Sequence, residues 1–147
     1  MKVRIFSTVL VLVILIACSK DKFTTRPQLK VKSVNDKFIE PGEILRIVVE
    51  FTDAEGDVSD SAFIQKVTAN CINSNYTDKR TIPDFPIKKD LKGEFLITYG
   101  YNVQGIPALG QPQCNRNDTC VFRIWVKDNG GNVSDTVQTE TIVIKKN

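Results

Sequence analysis

The sequence predicts an all-β protein folded as a single antiparallel two-sheet sandwich, and three observations carry that prediction. Apolar residues recur with period two, in short runs bounded by Gly, Pro, Asn and Asp. No stretch of any length shows the 3.6-residue period of an amphipathic helix, and there is neither an internal repeat nor a low-complexity tract. The runs number roughly six to eight at turn-separated intervals, which is the signature of a sandwich of about seven strands.

The elements follow in order. Leu29, Val31 and Ser33 open a weak first strand after Pro27, and Pro41-Gly42 supplies a turn. Leu45, Ile47, Val49 and Phe51 mark one face of a strong strand over 43–52, with Arg46 and Glu50 on the other. Phe63, Gln65, Val67, Ala69 and Cys71 alternate in the next strand, over 61–72. Residues 73–92 are polar and carry Pro83 and Pro86, which predicts a long loop or an irregular edge strand. Lys92-Gly93 precedes the alternating face Phe95, Ile97, Tyr99 and Tyr101. Residues 102–119 are loop, rich in Gly, Pro, Gln and Asn. Cys120, Phe122, Ile124 and Val126 form the inward face of a strand over 119–128 whose other side shows Arg123, Trp125 and Lys127. A last strand over 133–146, with its apolar run from Val137, closes the domain.

Ahead of these strands the chain changes character. Lys2 and Arg4 give a positive start, no acid appears before Asp21, and Val9 to Ala17 is wholly apolar. A membrane-spanning helix needs about 20 apolar residues, so this stretch is too short and reads as the core of a secretory signal. Leu15-Ile16-Ala17-Cys18 resembles the lipobox of bacterial lipoproteins: an apolar residue, a tolerant position, a small residue, then cysteine. That resemblance implies acylation of the Cys18 thiol and cleavage just before it, because the chemistry needs a nucleophilic sulfur at the membrane surface. Two or more acyl chains hold a protein at a bilayer where a single chain does not. The expected organisation is a signal peptide at 1–17, a lipidated tether at 18–26 and one β-sandwich domain at 27–147. The expected location is the bacterial cell envelope, at the outer membrane, with periplasmic and surface faces both open.

Composition excludes several functions. Removing residues 1–17 leaves 18 basic against 17 acidic residues, a net charge of +1. A near-neutral surface without a basic cluster gives no case for nucleic acid. With no histidine in the chain, Ser-His-Asp and Cys-His catalysis cannot be built. Cysteines remaining after Cys18 are Cys71, Cys114 and Cys120, spaced without a Cys-x-x-Cys motif, which argues against zinc and against redox catalysis. An exported chain meets an oxidising compartment, so one disulfide with one thiol left over is expected among these three.

Two stretches go beyond generic β sequence: Phe51-Thr52-Asp53-Ala54-Glu55-Gly56-Asp57-Val58-Ser59-Asp60, and Phe122-Arg123-Ile124-Trp125-Val126-Lys127-Asp128-Asn129-Gly130-Gly131-Asn132-Val133-Ser134-Asp135-Thr136-Val137. Together they resemble immunoglobulin-like β-sandwich domains in envelope lipoproteins of the Bacteroidota type, over most of residues 27–146. The resemblance implies a fold and no settled activity. Turn chemistry alone also accounts for both stretches, since glycine accepts positive φ and Asp or Asn bonds its own backbone.

Numbered as in an immunoglobulin domain, the strands over 43–52, 61–72, 119–128 and 133–146 are B, C, F and G, and the B–C and F–G loops share one end. Asp53, Glu55, Asp57 and Asp60 then lie near Asp128, Asn129, Asn132 and Asp135. Calcium takes six to eight oxygens from such loops, so Ca²⁺ is a candidate ligand of this end, in a spacing unlike that of an EF-hand. The same frame sends Cys71, Cys114 and Cys120 to the opposite end, where any pairing stays open and the disulfide staples the long loops.

A glycosidase needs two carboxyls roughly 5–10 Å apart, one with a raised pKa, and acids in exposed turns lack the apolar surroundings that raise it. Asp60-Ser61-Ala62 and Asp135-Thr136-Val137 resemble the acceptor triplet for O-glycosylation in Bacteroidota. Trp125 with Tyr99 and Tyr101 offers an aromatic platform for a sugar, against the alternative that these rings pack across strands. The function expected is a non-catalytic envelope module, binding or structural, presenting immunoglobulin-like loops to a protein or glycan partner. The alternative is a carbohydrate-binding accessory lipoprotein of a polysaccharide uptake system.

Overall fold

The computed structural model describes residues 23–147. The expected signal peptide and the lipidation site Cys18 lie outside the described residues. Among the described residues nine strands follow in order: β1 (Gln28–Val34), β2 (Phe38–Ile39), β3 (Ile44–Asp53), β4 (Ser61–Thr68), β5 (Tyr76–Thr81), β6 (Leu91–Gly100), β7 (Asp118–Lys127), β8 (Val137–Gln138) and β9 (Ile142–Ile144), with one 3₁₀ turn at Ile72–Ser74.

They form a sandwich. One sheet has the order β1-β3-β6; the other runs β2-β9-β7-β4-β5, with β8 also paired to β7. In immunoglobulin letters these are A-B-E and A′-G-F-C-C′, and residues 82–90 carry no strand where the constant-type domain has D. All pairings are antiparallel except β2 with β9. The all-β sandwich read from the sequence is the fold observed.

Period-two burial explains why these residues make strands. Leu45, Ile47, Val49 and Phe51 of β3 face Phe122, Ile124 and Val126 of β7 across the interior, all of them essentially inaccessible to solvent. Full burial of each such side chain contributes about 1.5–3 kcal/mol. Phe51 stands opposite Gly93 in the β3–β6 register, and a Cβ there would meet the ring at 2.7 Å, so glycine makes room for the aromatic.

Three local differences from the sequence reading have physical causes. In β1 the register shifts between Val31 and Ser33, a bulge, so that Val34 rather than Ser33 joins Leu29 and Val31 against the core. In β4 the inward face is Ala62, Ile64 and Lys66, not the alternating set that includes Phe63, Gln65 and Val67. Pairing decides this: Ala62, Ile64 and Lys66 sit opposite Val126, Ile124 and Phe122, and cross-strand partners share a face. The last strand is broken in two because the Thr139 hydroxyl accepts the Phe122 amide and donates to the Glu140 carbonyl, replacing ladder bonds.

Residues assigned to the tether also join the domain. The Ala54 amide donates to the Thr24 carbonyl, and the Arg26 guanidinium donates to the Val133 carbonyl and reaches Asp135.

Candidate functional site

The β3–β4 loop (54–60) and the β7–β8 loop (128–136) build one end of the sandwich, where Asp53, Asp128 and Ser134 are buried. β3 ends at Asp53, and Ser61 of β4 pairs with Lys127 at the end of β7, which brings the two loops together. One carboxylate oxygen from each of Asp53, Asp57 and Asp128 lies within 4.8 Å of the other two. Asp53 and Asp128 are buried and Asp57 is half-buried.

Local turn chemistry places each group. Asp53 Oδ2 accepts the amides of Gly56 at 2.6 Å and Asp57 at 3.1 Å, which folds the loop back over the carboxylate. Gly56 adopts φ +73° beneath residue 88, where a Cβ would lie 2.1 Å from the Lys88 carbonyl oxygen, so only glycine fits. Asp57 Oδ2 accepts the Gly130 amide at 2.9 Å, and the Asn129 amide donates to the Asp57 carbonyl at 3.1 Å. Asp128 accepts the Asn132 amide on Oδ1 and the Asn132 side-chain amide on Oδ2. The donors that meet the three carboxylates are thus uncharged. Asp53 Oδ1 and Asp57 Oδ1 are buried and have no hydrogen-bond partner.

The electrostatics reflect that crowding. Burial pushes the Asp53 carboxyl above its ordinary value; the amides of Asp57 and Gly56 pull it down, and the charges of Asp57 and Asp128 push it up again. Acids in exposed turns were the expectation; these carboxylates are instead enclosed, because the loops fold onto each other. Asp53 and Asp128 have essentially no exposed surface, and Asp57 is partly open to solvent.

The structure gathers three of the sequence-predicted acids and distributes the rest. Asn132 belongs to the cluster through Asp128. Asp60 accepts the Ser61 hydroxyl, Asp135 pairs with Arg26, and Glu55 is exposed. Of the two acceptor-like triplets, Ser61 is buried in β4 and Thr136 is exposed.

The opposite end holds the cysteines. Cys71 and Cys114 form a disulfide with their Cα atoms 5.5 Å apart, and Cys120 is a buried free thiol. Burial pushes the Cys120 thiol up to about 12, with Lys66 acting against it and Asp118 with it, so it is a poor nucleophile. Beside it lies a feature the sequence reading missed. Lys66 Nζ meets Asp118 Oδ2 at 2.6 Å, with both side chains out of contact with solvent, and Asp118 Oδ1 is unpartnered. The signal was available in the Ala62-x-Ile64-x-Lys66 parity, once β4 is set against β7.

The aromatic platform is only partly present. Tyr99 and Tyr101 are 1% exposed, which corrects their assignment to a sugar contact: their rings fill the core. Their hydroxyls donate to Asp78 at 3.1 Å and to the Lys145 carbonyl at 2.8 Å. Trp125 does lie on the outer face of β7, stacked on Phe63 of β4 with centroids 5.4 Å apart. It borders an open groove of about 600 Å³ with Gln65, Arg123, Thr136 and Gln138. A smaller apolar cleft of about 370 Å³ enters between the β5 and β6 edges, lined by Ala62, Ile64, Ile82, Phe85, Phe95 and Ile97. Arg80 spans that gap, donating to the Thr98 carbonyl and pairing with Asp78.

No protein-family model matches the chain, and no curated protein sequence does. Among solved structures it is similar to a Niemann-Pick type C2 protein from the Japanese carpenter ant, at 12% identity and TM-score 0.47, over 86% of this chain and 98% of that one. It is similar to the sporulation control protein Spo0M of Bacillus subtilis, at 12% identity and TM-score 0.45, over 84% of this chain. The chain spans about half the length of that protein, 51%. A conjugative transposon lipoprotein from Bacteroides eggerthii is also a neighbour, at 12% identity and TM-score 0.38, over 81% of this chain and 98% of that one. Likenesses at this level bear on neither ligand nor activity.

Proposed function

We propose that this chain is a non-catalytic lipoprotein of the bacterial cell envelope, a binding or structural module that presents its sandwich to a protein or glycan partner. The groove beside Trp125 carries the binding part of this reading. It places an aromatic, a guanidinium and two amides on the outer face of the β4–β7 sheet, around an open groove. Arg and Trp are enriched at interface centres because each couples a large apolar contact to directed hydrogen bonds. The lipobox at Leu15–Cys18 supports the anchor.

A photo-crosslinker placed at Gln138 in the full chain is expected to capture one discrete envelope component. Trp125→Ala is expected to cut that capture at least tenfold, and capture indifferent to Trp125 would remove the groove from the proposal. A second reading, a carbohydrate-binding accessory, draws on the same groove, because an indole face beside amides and a guanidinium matches the apolar and hydroxyl faces of a sugar ring. Saturable binding on a glycan array, lost in Trp125→Ala, selects it.

A further inference from the structure

The acidic loop end has a chemistry that the proposed function does not use. Three carboxylates from two loops converge, and two of their oxygens, on Asp53 and Asp57, are buried without a partner. Asp53 has no solvent-exposed surface at all. A buried carboxylate oxygen that faces two other carboxylates is unfavourable unless something cationic or protic stands between them.

We propose that Asp53, Asp57 and Asp128 bind a single Ca²⁺ ion that ties the β3–β4 loop to the β7–β8 loop. Distance supports one ion. Calcium–oxygen bonds of about 2.3–2.6 Å set opposite ligands up to about 5 Å apart, and the three oxygens lie within 4.8 Å of one another. Magnesium holds its ligands at about 2.0–2.1 Å in a stricter octahedron and gives up water reluctantly, so the wider, loop-borne set suits calcium. Donor type agrees, because an all-oxygen set is that of a hard cation.

The hydrogen bonds orient the ligands. Asp53 and Asp57 each commit Oδ2 to backbone amides, of Gly56 and Asp57 in one case and Gly130 in the other, leaving Oδ1 for the ion. Asp128 is fixed through both oxygens by Asn132, which leaves each oxygen a second lone pair. These carboxylates thus supply three or four of the six to eight oxygens calcium takes, and water supplies the rest. The inference stands apart from the envelope reading, since it needs neither the lipid nor the Trp125 groove.

The test uses the full chain in detergent, stripped with EDTA, with Ca²⁺ alone as the probe. Calcium at about 100 times its dissociation constant is expected to raise Tm by roughly 5–10 °C. Equilibrium dialysis of the unmodified chain is expected to count one bound ion, a measurement that does not depend on any variant folding. Asp57→Asn retains an oxygen acceptor for the Gly130 amide and is expected to weaken calcium binding at least tenfold. No Tm response and no bound ion in the unmodified chain would overturn the proposal. So would an undiminished response in Asp57→Asn, and an equal response to Mg²⁺ would overturn the assignment to calcium.

Discussion

The two ends of this sandwich bury carboxylates and answer them differently. At the cysteine-bearing end, Asp118 meets Lys66, a cation supplied by the neighbouring strand, and a disulfide closes the loops around the pair. At the other end, Asp53, Asp57 and Asp128 face one another, and the donors that reach them are uncharged amides. The first end carries its countercharge within the chain, in Lys66, although Asp118 Oδ1 keeps no hydrogen-bond partner. The second becomes complete when a cation comes from outside, which makes its stability a property of the solution as well as of the fold.

The largest expected effect breaks the self-sufficient end. Lys66→Ala leaves Asp118 buried and unpaired and is expected to cost about 3–5 kcal/mol in chemical denaturation, whereas Lys66→Met with Asp118→Leu is expected to recover most of that loss. Recovery failing in the double variant would mean the pair does more than balance charge.

Next comes the covalent part of the same end. Cys71 and Cys114 are 43 residues apart, and replacing both by Ala releases that loop in the unfolded chain. The expected loss is about 2–4 kcal/mol by urea titration, with Ca²⁺ affinity unchanged because the acidic loops lie at the far end.

The smallest effect sharpens the contrast, and it is read from pH. The folded Asp53 carboxyl titrates above its unfolded value, so between the two values the folded chain holds the extra proton. Its contribution therefore favours folding at low pH and is lost as pH rises from about 4 through the folded value. In EDTA, the Tm difference between Asp53→Asn and the unmodified chain is expected to widen in favour of the variant as pH rises toward neutrality. Saturating Ca²⁺ is expected to abolish or reverse that advantage. A difference flat with pH would show that Asp53 is not under the strain its surroundings imply.

Much of this contrast was legible in the sequence because it depends on local rules. The Asp53-x-x-Gly56-Asp57 and Asp128-x-x-Gly131-Asn132 turns announce themselves through glycine and side-chain-to-backbone bonding, and the strand order sends both to one end. Trp125 was placed outward correctly by the parity of β7. What the sequence hid depends on pairing across strands. Phe63 and Val67 made one face of β4 look apolar, yet β7 turns Lys66 inward, and no single-strand pattern shows a buried lysine already matched to an aspartate 52 positions on. Tyr99 and Tyr101 misled for a related reason: a tyrosine can be buried whole when its hydroxyl finds a partner, as Asp78 and the Lys145 carbonyl provide. Burial of Asp53 and Asp128 escaped notice because loop residues read as exposed until two loops close on each other.

The grip of the acidic loops on residues 24–26 has a directional consequence. Thr24 is bonded to the β3–β4 loop and Arg26 to the β7–β8 loop, so the chain enters the domain at its acidic end. With lipid on Cys18, as proposed, residues 19–23 span at most about 20 Å between bilayer and fold. Such an anchor would hold the acidic end toward the membrane and leave the disulfide-closed loops facing away from it. The cation-dependent joint would sit in the layer just above the headgroups, where an anionic membrane concentrates divalent ions. Posture relative to the membrane would then respond to the ions gathered there, while the outward end stays fixed by its own covalent bond.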